Sequence, residues 1–383
     1  MVAAGQSENA RGQREKEVSA FTGFDRRMMR RALELAELGR FTTHPNPRVG
    51  CVIVQDGQIV GEGWHRKWGE PHAEPLALNA AGAAAKGSTV YVTLEPHSYQ
   101  SRTPPCTTAL IKAGVRRVIC ATLDPNPQVH GEGVRLLREA GIQVDEGLLA
   151  DEAHALNAGF EKRHRSGMPR VIVKIAASLD GRVALASGES RWITGAAARA
   201  DVHRLRAEVS AVLTGIDTVL ADDPQLTVRD AQIDMLGRQP LRVVLDSRLR
   251  MPTTARMFAE EGETLVFTRE DQVASAGVMR ATVVGVAPDA SGHPDLVAVL
   301  RELGQRRCND VLVEAGPKLA GSFIAAGLAD EVLVYLAPKL LGADAKGMVQ
   351  LPALQKLADA PRFKLHECVQ VGEDLKLRYL PAH

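Results

Sequence analysis

The 383-residue sequence predicts two α/β domains in tandem. Its length exceeds one ordinary hydrophobic core, since domains hold about 150 residues each. Short β-rich runs alternate with helix-periodic runs in both halves of the chain. Residues 160–169, "FEKRHRSGMP", place charge, Gly and Pro between two periodic stretches, as is typical of a domain boundary. We therefore expect a first domain over residues 23–165 and a second over residues 168–383.

The first domain is predicted to be a sheet covered by helices. Helical periodicity begins after Asp25, which can serve as N-cap, and continues through "RRMMRRALELAELG". "RVGCVIVQDGQIVGEGW" predicts a β-hairpin, because an Asp-Gly turn joins two β-rich runs. A helix, a strand, a helix, a strand and a helix follow over "PHAEPLALNAAGAAAKG", "TVYVTLEP", "CTTALIKAG", "RRVICATLDP" and "GVRLLREAG". This order indicates an α/β/α sandwich.

The second domain is predicted to be another α/β unit, opening at "RVIVKIAASLDGRVA". Further strands are expected at "AVLTG", "LRVVLD", "TLVFT", "DVLVEAG" and "EVLVYLAP". Helical patterns lie between them, as in "AAARADVHRLRAE" and "PKLAGSFIAAG". Residues 1–22 are polar and lack the apolar core of a signal peptide, so we expect a disordered cytoplasmic tail there.

Composition and charge favour a small-molecule partner. Lys and Arg total 47 against 46 Asp and Glu, so the formal charge of +1 gives no basic excess for nucleic acid. Aromatic residues make up only 4%, which also disfavours base stacking. No apolar run approaches the roughly 18 residues of a membrane span. Five scattered cysteines argue against a secreted disulfide framework, and we expect a cytoplasmic protein.

The spacing His72-Ala73-Glu74 predicts part of a zinc site. Residues two apart near a helix start do not both bind one metal easily, so a division of labour is favoured. His72 would hold zinc, while Glu74 would move a proton between water and the leaving amine, as in a zinc deaminase. The turn "EPHSYQSRTPPC" supplies His97 and Cys106 as further ligands, and the following helix start stabilises the Cys106 thiolate. A lone His-x-Glu pair is more often a solvated surface, but this turn strengthens the zinc interpretation.

Four segments of the first half carry a resemblance to a known family. They are "THPNPRVGCVIV", "GWHRKWGEPHAE", "VTLEPHSYQSRTPPC" and "DPNPQVHGEG". They resemble the N-terminal half of the bifunctional riboflavin-pathway pyrimidine deaminase/reductase family, with its pattern PNPxVG, PHAE and TLEPC-x8-C. The resemblance implies a cytidine-deaminase-like fold, Glu74 as proton shuttle, and His72 and Cys106 as ligands of Zn2+. It also implies contacts to the base or ribose phosphate from Asn46, His65 and Arg102.

His97 departs from that family pattern, which has cysteine there. Imidazole is a good zinc ligand, so a site of two histidines and one cysteine remains tetrahedral and open to water. Exchanging a thiolate for a neutral imidazole raises the charge of the ligated zinc by one unit, which weakens retention of the metal. Two readings stay open, namely a zinc-loaded deaminase and a vestigial, metal-free domain.

The second half resembles the reductase half of the same family, a dihydrofolate-reductase-like fold that uses NADPH. The segments are "VKIAASLDGRVA", "GESRWITG", "RLRAE", "TGIDTVLADDPQLTVR", "QPLRVVLD" and "LVEAGPKLAGSF". The resemblance implies NADPH contacts at Ala176, Trp192, Thr218, Asp222 and the turn at Gly316. It implies substrate contacts at Ser190, Arg206, Leu226, Arg229 and Glu314. A ribose phosphate needs fork-shaped cationic donors, which arginines provide.

The leading hypothesis is a bifunctional enzyme of riboflavin biosynthesis. It would deaminate 2,5-diamino-6-ribosylamino-4(3H)-pyrimidinone 5′-phosphate with zinc, and then reduce the ribosyl group to ribityl with NADPH. The alternative keeps the reductase but makes the first domain a metal-free structural module, because of His97. A third hypothesis, a nucleic-acid deaminase, is disfavoured by the charge and the few aromatic residues. Family resemblance also implies a homo-oligomer.

Overall fold

The computed structural model describes residues 21–100, 103–277 and 279–382. The predicted disordered tail lies outside these residues except for its last two. The chain divides into two compact units, residues 1–161 and 162–383, and the division falls inside the segment 160–169. Both units combine a sheet with helices, so the predicted α/β fold class is confirmed. Among the described residues, no helix is both long and apolar enough to cross a bilayer.

The first unit contains a five-stranded sheet in the order β2-β1-β3-β4-β5. The strands are β1 (Gly50–Gln55), β2 (Gln58–Trp64), β3 (Thr89–Val92), β4 (Arg117–Cys120) and β5 (Gln143–Glu146). The helices are α1 (Gly23–Glu37), α2 (Ala73–Ala81), α3 (Cys106–Ala113), α4 (Glu132–Glu139), α5 (Ala150–Leu156) and α6 (Ala158–Ser166), which crosses the division. β1 runs antiparallel to β2 and β3, whereas β3, β4 and β5 are parallel.

Alternation along β1 separates two apolar cores in this unit. Cys51 and Ile53 belong to one core, with α2, α3 and α4. Val52 and Val54 belong to the other, with α1 and the start of α5. Because successive side chains of a strand point to opposite faces, each face of the sheet is covered by helices. The result is the predicted α/β/α sandwich.

The start of α1 differs from the prediction. Asp25 was expected to cap the helix, but Thr22 is the N-cap and Asp25 lies in the first turn. The two form a capping box, in which the Thr22 hydroxyl accepts from the Asp25 N–H at 3.0 Å and the Thr22 N–H donates to the Asp25 carboxylate at 2.8 Å. Asp25 also accepts from the Tyr91 hydroxyl on β3 at 2.7 Å, so it ties the helix to the sheet.

The second unit is built on a nine-stranded sheet in the order β11-β10-β9-β8-β12-β6-β13-β16-β15. Its strands are β6 (Arg170–Ser178), β8 (Ala211–Gly215), β9 (Leu241–Leu245), β10 (Thr264–Arg269), β11 (Thr282–Val286), β12 (Asp310–Glu314), β13 (Glu331–Ala337), β15 (Phe363–Val371) and β16 (Asp374–Pro381). β7 (Arg182–Ala184) and β14 (Lys346–Gly347) form a separate small sheet. The helices are α7 (Ala196–Glu208), α8 (Ile216–Asp222), α9 (Leu296–Gln305) and α10 (Pro317–Ala325).

Seven of these strands are parallel, from β11 through β13, and the hairpin β15–β16 closes one side with antiparallel pairing. The parallel strands are nearly continuous apolar runs because helices cover both faces of the sheet. All seven carboxyl ends therefore meet at one edge. Open parallel sheets bind their ligands at that edge.

Two glycines of β2 fix the position of α2 against the first sheet. A Cβ on Gly63 would lie 2.4 Å from the Ala73 carbonyl oxygen, and a Cβ on Gly61 would lie 2.2 Å from that of Ala77. Helix α2 has small residues at this contact, where Ala73 and Ala77 are fully buried. Helix α2 thus packs directly on the backbone of the strand, and this contact sets the place of His72 and Glu74.

We expect Gly63→Ala to lower the free energy of unfolding of the first unit by about 1–3 kcal/mol, because the added methyl group overlaps helix backbone. Urea unfolding followed by circular dichroism measures it. Gly23→Ala is the matched control, since a Cβ there would approach only the Arg27 guanidinium, at 3.9 Å. Equal stability of Gly63→Ala and the unmodified protein would contradict this packing.

Candidate metal centre and nucleotide site

His72, His97 and Cys106 come together at one end of α2. Their potential ligand atoms all lie within 4.8 Å of one another. His72 is the N-cap of α2, Cys106 is the first residue of α3, and His97 lies on the loop that follows β3. The two helix starts therefore present two of the candidate ligands, and the loop brings the third.

The two sulfur–nitrogen distances in this cluster are close to those of a tetrahedral zinc site. The Cys106 Sγ lies 3.3 Å from His97 Nδ1 and 3.4 Å from His72 Nδ1. With bonds of about 2.05 Å to nitrogen and 2.3 Å to sulfur, tetrahedral coordination holds such a pair of atoms about 3.6 Å apart. Two imidazoles and one thiolate are also a donor set that zinc accepts. The residues present thus fit the metal, with His97 in the place of a cysteine.

Burial keeps the three histidines of this site neutral. It lowers the pKa of His72 to about 4, with the neighbouring His97 and His65 adding to the effect. It also lowers the pKa of His97 and of His65. Neutral imidazole is the form that binds metals. Burial, with the nearby Glu74 carboxylate, raises the pKa of the Cys106 thiol, so a cation that takes this thiolate displaces a proton.

Glu74 lies beside the cluster without belonging to it. Its side chain is 3% exposed, and burial raises its pKa to about 7. The Cys106 thiol is near enough to oppose that rise of the pKa in part, which places the Glu74 carboxyl group next to the three candidate ligands. A carboxyl group with a pKa near neutrality can both take and give a proton, which is what a general acid and base needs.

The predicted pyrimidine contacts Asn46 and His65 also adjoin the cluster. The Asn46 Nδ2 lies 3.1 Å from His65 Nε2, and the His65 ring lies 5.3 Å from the His72 ring, centroid to centroid. His65 Nδ1 donates to the Pro71 carbonyl at 3.2 Å, which fixes the imidazole tautomer. Arg102, the third predicted contact, lies outside the described residues.

Sequence analysis missed two residues that support this site. The Asn157 side chain binds the backbone of Arg48 twice, accepting from its N–H at 2.8 Å and donating to its carbonyl at 2.9 Å. Arg48 lies two residues after Asn46, so Asn157 holds the loop that carries it. Tyr99 makes an edge contact with the His97 ring, with centroids 5.4 Å apart. A single asparagine or tyrosine carries no motif, so the sequence gives no signal for either residue.

The predicted residues of the second unit gather at the carboxyl edge of its sheet. Ala176 lies near the end of β6, Glu314 ends β12, and Thr218 is in α8, directly after β8. β8, β12 and β6 are consecutive neighbours in the sheet. Gly316 is the N-cap of α10, where no side chain caps the helix and a Cβ would meet nothing within 4 Å. This open turn, with free amide groups at the helix start, fits a phosphate of a dinucleotide.

Trp192 and Asp222 meet through Arg191. The Trp192 side chain is exposed, and the Arg199 guanidinium stacks 4.6 Å from its ring centroid. Arg191 lies over the same ring, at 5.9 Å, and pairs with the Asp222 carboxylate at 3.5 Å. These contacts leave an aromatic surface with cations around it, which suits a phosphorylated, planar ligand. Ser190, a predicted substrate contact, directly precedes Arg191 and is partly exposed.

Arg206 and Glu314, both predicted to contact substrate, bind each other. The Arg206 Nε and one terminal nitrogen donate to the two Glu314 carboxylate oxygens at 2.6 and 3.0 Å. A third donor of Arg206 reaches the Thr227 carbonyl at 3.1 Å. Its fork is thus already engaged, whereas Arg229 is exposed and its guanidinium binds the Thr227 hydroxyl at 3.1 Å. Leu226 is buried at positive φ, so a ligand meets its backbone rather than its side chain.

A third charge, Lys174, lies in the interior near this pair. Burial lowers the pKa of Lys174, although the Glu314 carboxylate opposes that shift. Burial alone would raise the pKa of Glu314, but the charge and hydrogen bonds of Arg206 outweigh it and hold that pKa below its ordinary value. The trio thus places one carboxylate between two cations at the edge of the sheet.

Comparison with known proteins identifies both units. A family model described as the RibD C-terminal domain matches residues 169–377, which is more than half of the chain. A second model, the cytidine and deoxycytidylate deaminase zinc-binding region, matches residues 22–122. The riboflavin biosynthesis protein RibD of Escherichia coli is 53% identical over 368 residues, covering 94% of this chain and 100% of that protein. This chain belongs to the RibD family.

Solved structures of other RibD proteins agree. Acinetobacter baumannii RibD superposes with a TM-score of 0.87 at 46% identity, covering 94% of this chain and 99% of that one. The Thermotoga maritima diaminohydroxyphosphoribosylaminopyrimidine deaminase/5-amino-6-(5-phosphoribosylamino)uracil reductase superposes with a TM-score of 0.83 at 35% identity, with the same coverage. The chain is therefore a bifunctional deaminase and reductase of riboflavin biosynthesis that uses Zn2+ and NADPH. The reductase-only alternative is not favoured.

We expect Glu314→Gln to lower the free energy of unfolding of the second unit by about 3 kcal/mol, because two cations lose their buried counter-charge. Since the pKa of Glu314 is lowered on folding, its contribution is complete above its unfolded pKa and is lost as the pH falls. The difference between variant and unmodified protein should therefore shrink in acid. Urea unfolding at pH 7 and at pH 4 measures both effects.

Glu302→Gln is the control for this experiment. It removes a carboxylate that pairs with Arg306 across one turn of α9, at 2.8 Å, in a more exposed position. A pair of that kind contributes no more than about 0.5 kcal/mol. Equal losses in the two variants would contradict a special role for the buried charges.

Proposed function

We propose that His72, His97 and Cys106 hold the zinc ion of an active deaminase, and that the second unit reduces the product of the first. The observation that carries this proposal is the cluster itself, whose ligand atoms lie within 4.8 Å of one another. The substrate would be 2,5-diamino-6-ribosylamino-4(3H)-pyrimidinone 5′-phosphate, since the Thermotoga maritima relative is named for a deaminase and reductase of such compounds.

In the first reaction, the residues of the cluster bind and orient while Glu74 moves protons. When bound, zinc makes water a nucleophile near neutral pH. Glu74 takes a proton from the attacking water and delivers it to the amino group that leaves as ammonia. Its pKa of about 7 suits both steps. Asn46 and His65, which contact each other at 3.1 Å, would hold the pyrimidine ring above Glu74.

In the second reaction, the residues at the sheet edge orient substrate and cofactor. When bound, NADPH would supply a hydride to C1 of the imine that ring opening of the aminated ribose forms, and a proton taken up at the imine nitrogen would complete the ribityl chain. The start of α10 at Gly316 would hold a phosphate of the cofactor, with Ala176, Trp192, Thr218 and Asp222 as its other contacts. Arg229 would bind the phosphate of the substrate. Ser190, the Leu226 backbone and the pair Arg206–Glu314 would line its ribose.

Zinc content and the two half-reactions, measured on the same preparations, test this proposal. We expect one zinc per chain in the unmodified protein, loss of zinc and deamination in His97→Ala, and retention of both in His97→Cys. Reduction of the deaminated intermediate should stay unchanged in all three, because the variants alter only the first unit. His293→Ala, at an exposed position of the second unit away from β15, is the matched control. An unmodified protein without zinc that gains it in His97→Cys would establish the reductase-only alternative.

We also propose that the protein is a homo-oligomer that pairs through β15. This nine-residue strand ends the second sheet, and the described residues place no strand on its outer side. Leu365 and Val369 are 48% and 43% exposed on it. An unprotected edge strand is a template for pairing, and a two-fold axis joins two such edges antiparallel.

We expect the double substitution Leu365→Lys and Val369→Lys to dissociate this oligomer, because charges on an edge strand oppose pairing. Size-exclusion chromatography with light scattering measures the mass of the unmodified protein and the variant. Leu357→Lys changes an apolar residue that is 93% exposed outside the strand and serves as control. A variant with the mass of the unmodified oligomer would exclude β15 as the interface.

A reducing compartment is the setting we propose for this chain. All five cysteines are free thiols, and four of them are buried. Cys106 must stay reduced to bind zinc, which requires the thiolate. We therefore propose a cytoplasmic location and small-molecule partners, with no role for nucleic acid at a formal charge of +1.

A further inference from the structure

Glu95 is a buried carboxylate that the proposed chemistry does not use. It lies on the loop between β3 and α3, two residues before His97, and it is only 3% exposed. Burying a carboxylate costs several kcal/mol unless strong donors replace the lost water. The hydrogen-bond partners of Glu95 therefore indicate which parts of the structure this buried charge stabilises.

Those partners are three backbone N–H groups spread along one segment. Glu95 Oε2 accepts from the Asp124 N–H at 3.1 Å and from the Gly131 N–H at 2.9 Å, and Oε1 accepts from the Val134 N–H at 3.1 Å. The segment runs from the end of β4 into the first turn of α4. One side chain thus joins the loop that carries His97 to the segment 124–134 at three points.

The two backbones also approach closely where they are joined. A Cβ on Gly133 would lie 2.1 Å from the Pro96 carbonyl oxygen, so only glycine fits there. The Glu95 N–H also donates to the carbonyl of Thr122, two residues before that segment, at 2.9 Å. Pro96 is the residue directly before His97. The start of the zinc loop is therefore held by hydrogen bonds and by contact between backbones.

We infer that Glu95 is a positioning residue for the metal centre, which sets the place of His97 before the metal binds. This inference rests on the proposed zinc site. Groups that orient a metal ligand typically change metal affinity by about 10–100-fold when they are removed. Correct orientation of the ligand matters more in this chain, because an imidazole in the place of a thiolate leaves the site with one negative charge fewer to retain the cation.

A carboxylate is required at Glu95, because all three of its partners are donors. In Glu95→Gln the side chain keeps its size, but its amino group faces at least one N–H in either orientation of the amide. If the carbonyl oxygen serves Asp124 and Gly131, the amino group faces Val134; in the reverse orientation it faces the other two. The variant therefore weakens the tie without removing volume from the interior.

The test measures metal binding in the full chain. We expect Glu95→Gln to lower the affinity for Zn2+ at least about tenfold in competition with a chromogenic chelator. The visible absorption of the Co2+-loaded protein should change as well, since a displaced imidazole alters the ligand field. Reductase activity should equal that of the unmodified protein. Glu152→Gln, an exposed position on α5, is the matched control and should change none of these readings.

The outcomes separate this inference from the proposed function. If the unmodified protein binds no zinc, the proposed zinc site itself fails. If it binds zinc and Glu95→Gln binds it equally well with the same cobalt spectrum, Glu95 does not position His97 and the inference is overturned. A variant that loses both zinc affinity and the cobalt spectrum while reductase activity persists supports it.

Hydrogen exchange on the unmodified chain decides the matter if Glu95→Gln fails to fold. After removal of metal with chelator, the amides of Asp124, Gly131 and Val134 should still exchange slowly, because Glu95 holds them without help from the metal. Slow exchange in that state supports the inference. Rapid exchange, slowed only by added Zn2+, would overturn it, since the metal would then be ordering the loop.

Discussion

Each half of this enzyme buries a carboxylate at the end of a strand, and the arrangement of its site depends on how that charge is satisfied. Glu95 follows β3 and accepts hydrogen bonds from three backbone N–H groups. Glu314 ends β12 and accepts two hydrogen bonds from the Arg206 guanidinium. A buried charge without hydrogen-bond partners is costly, so the groups that donate to each carboxylate are held in place around it. His97 lies two residues from Glu95, and Gly316 lies two residues from Glu314. The hydrogen bonds of each carboxylate therefore restrain the backbone at both positions.

The two solutions differ in what they leave available for chemistry. Backbone donors satisfy Glu95, so this carboxylate takes no hydrogen bond from the side chains of the candidate ligands His97 and Cys106. Arg206 satisfies Glu314 with its own charge, so two of its donors are already engaged. The contacts of Arg206 and Arg229 with substrate stay predictions, and Arg229 is the more exposed of the two. A motif can reveal which residue types meet, but not which of them are already paired.

Much of the fold follows from local patterns, and the exceptions have physical reasons. The hairpin β1–β2 carries an Asp-Gly turn between apolar runs, and the helix α7 is bounded as its periodicity predicts. β15 and β16 were not predicted, although apolar and polar residues alternate over residues 375–379 of β16. The side chains of β15 are largely exposed, so that strand buries little of its pattern. The short helices α5 and α8 span only two turns each, too few to establish a period. The sequence motifs predict the three candidate ligands of the metal centre, whereas Glu95 and Asn157 bind backbone groups that no residue pattern marks.

The glycines of β2 give the first site a tolerance of its own. Gly61 and Gly63 let α2 lie on the strand backbone, so no layer of large side chains separates them. The position of His72, the N-cap of that helix, is therefore set by backbone packed on backbone rather than by the fit of large side chains. Two residues without side chains thus determine where one edge of the metal centre begins.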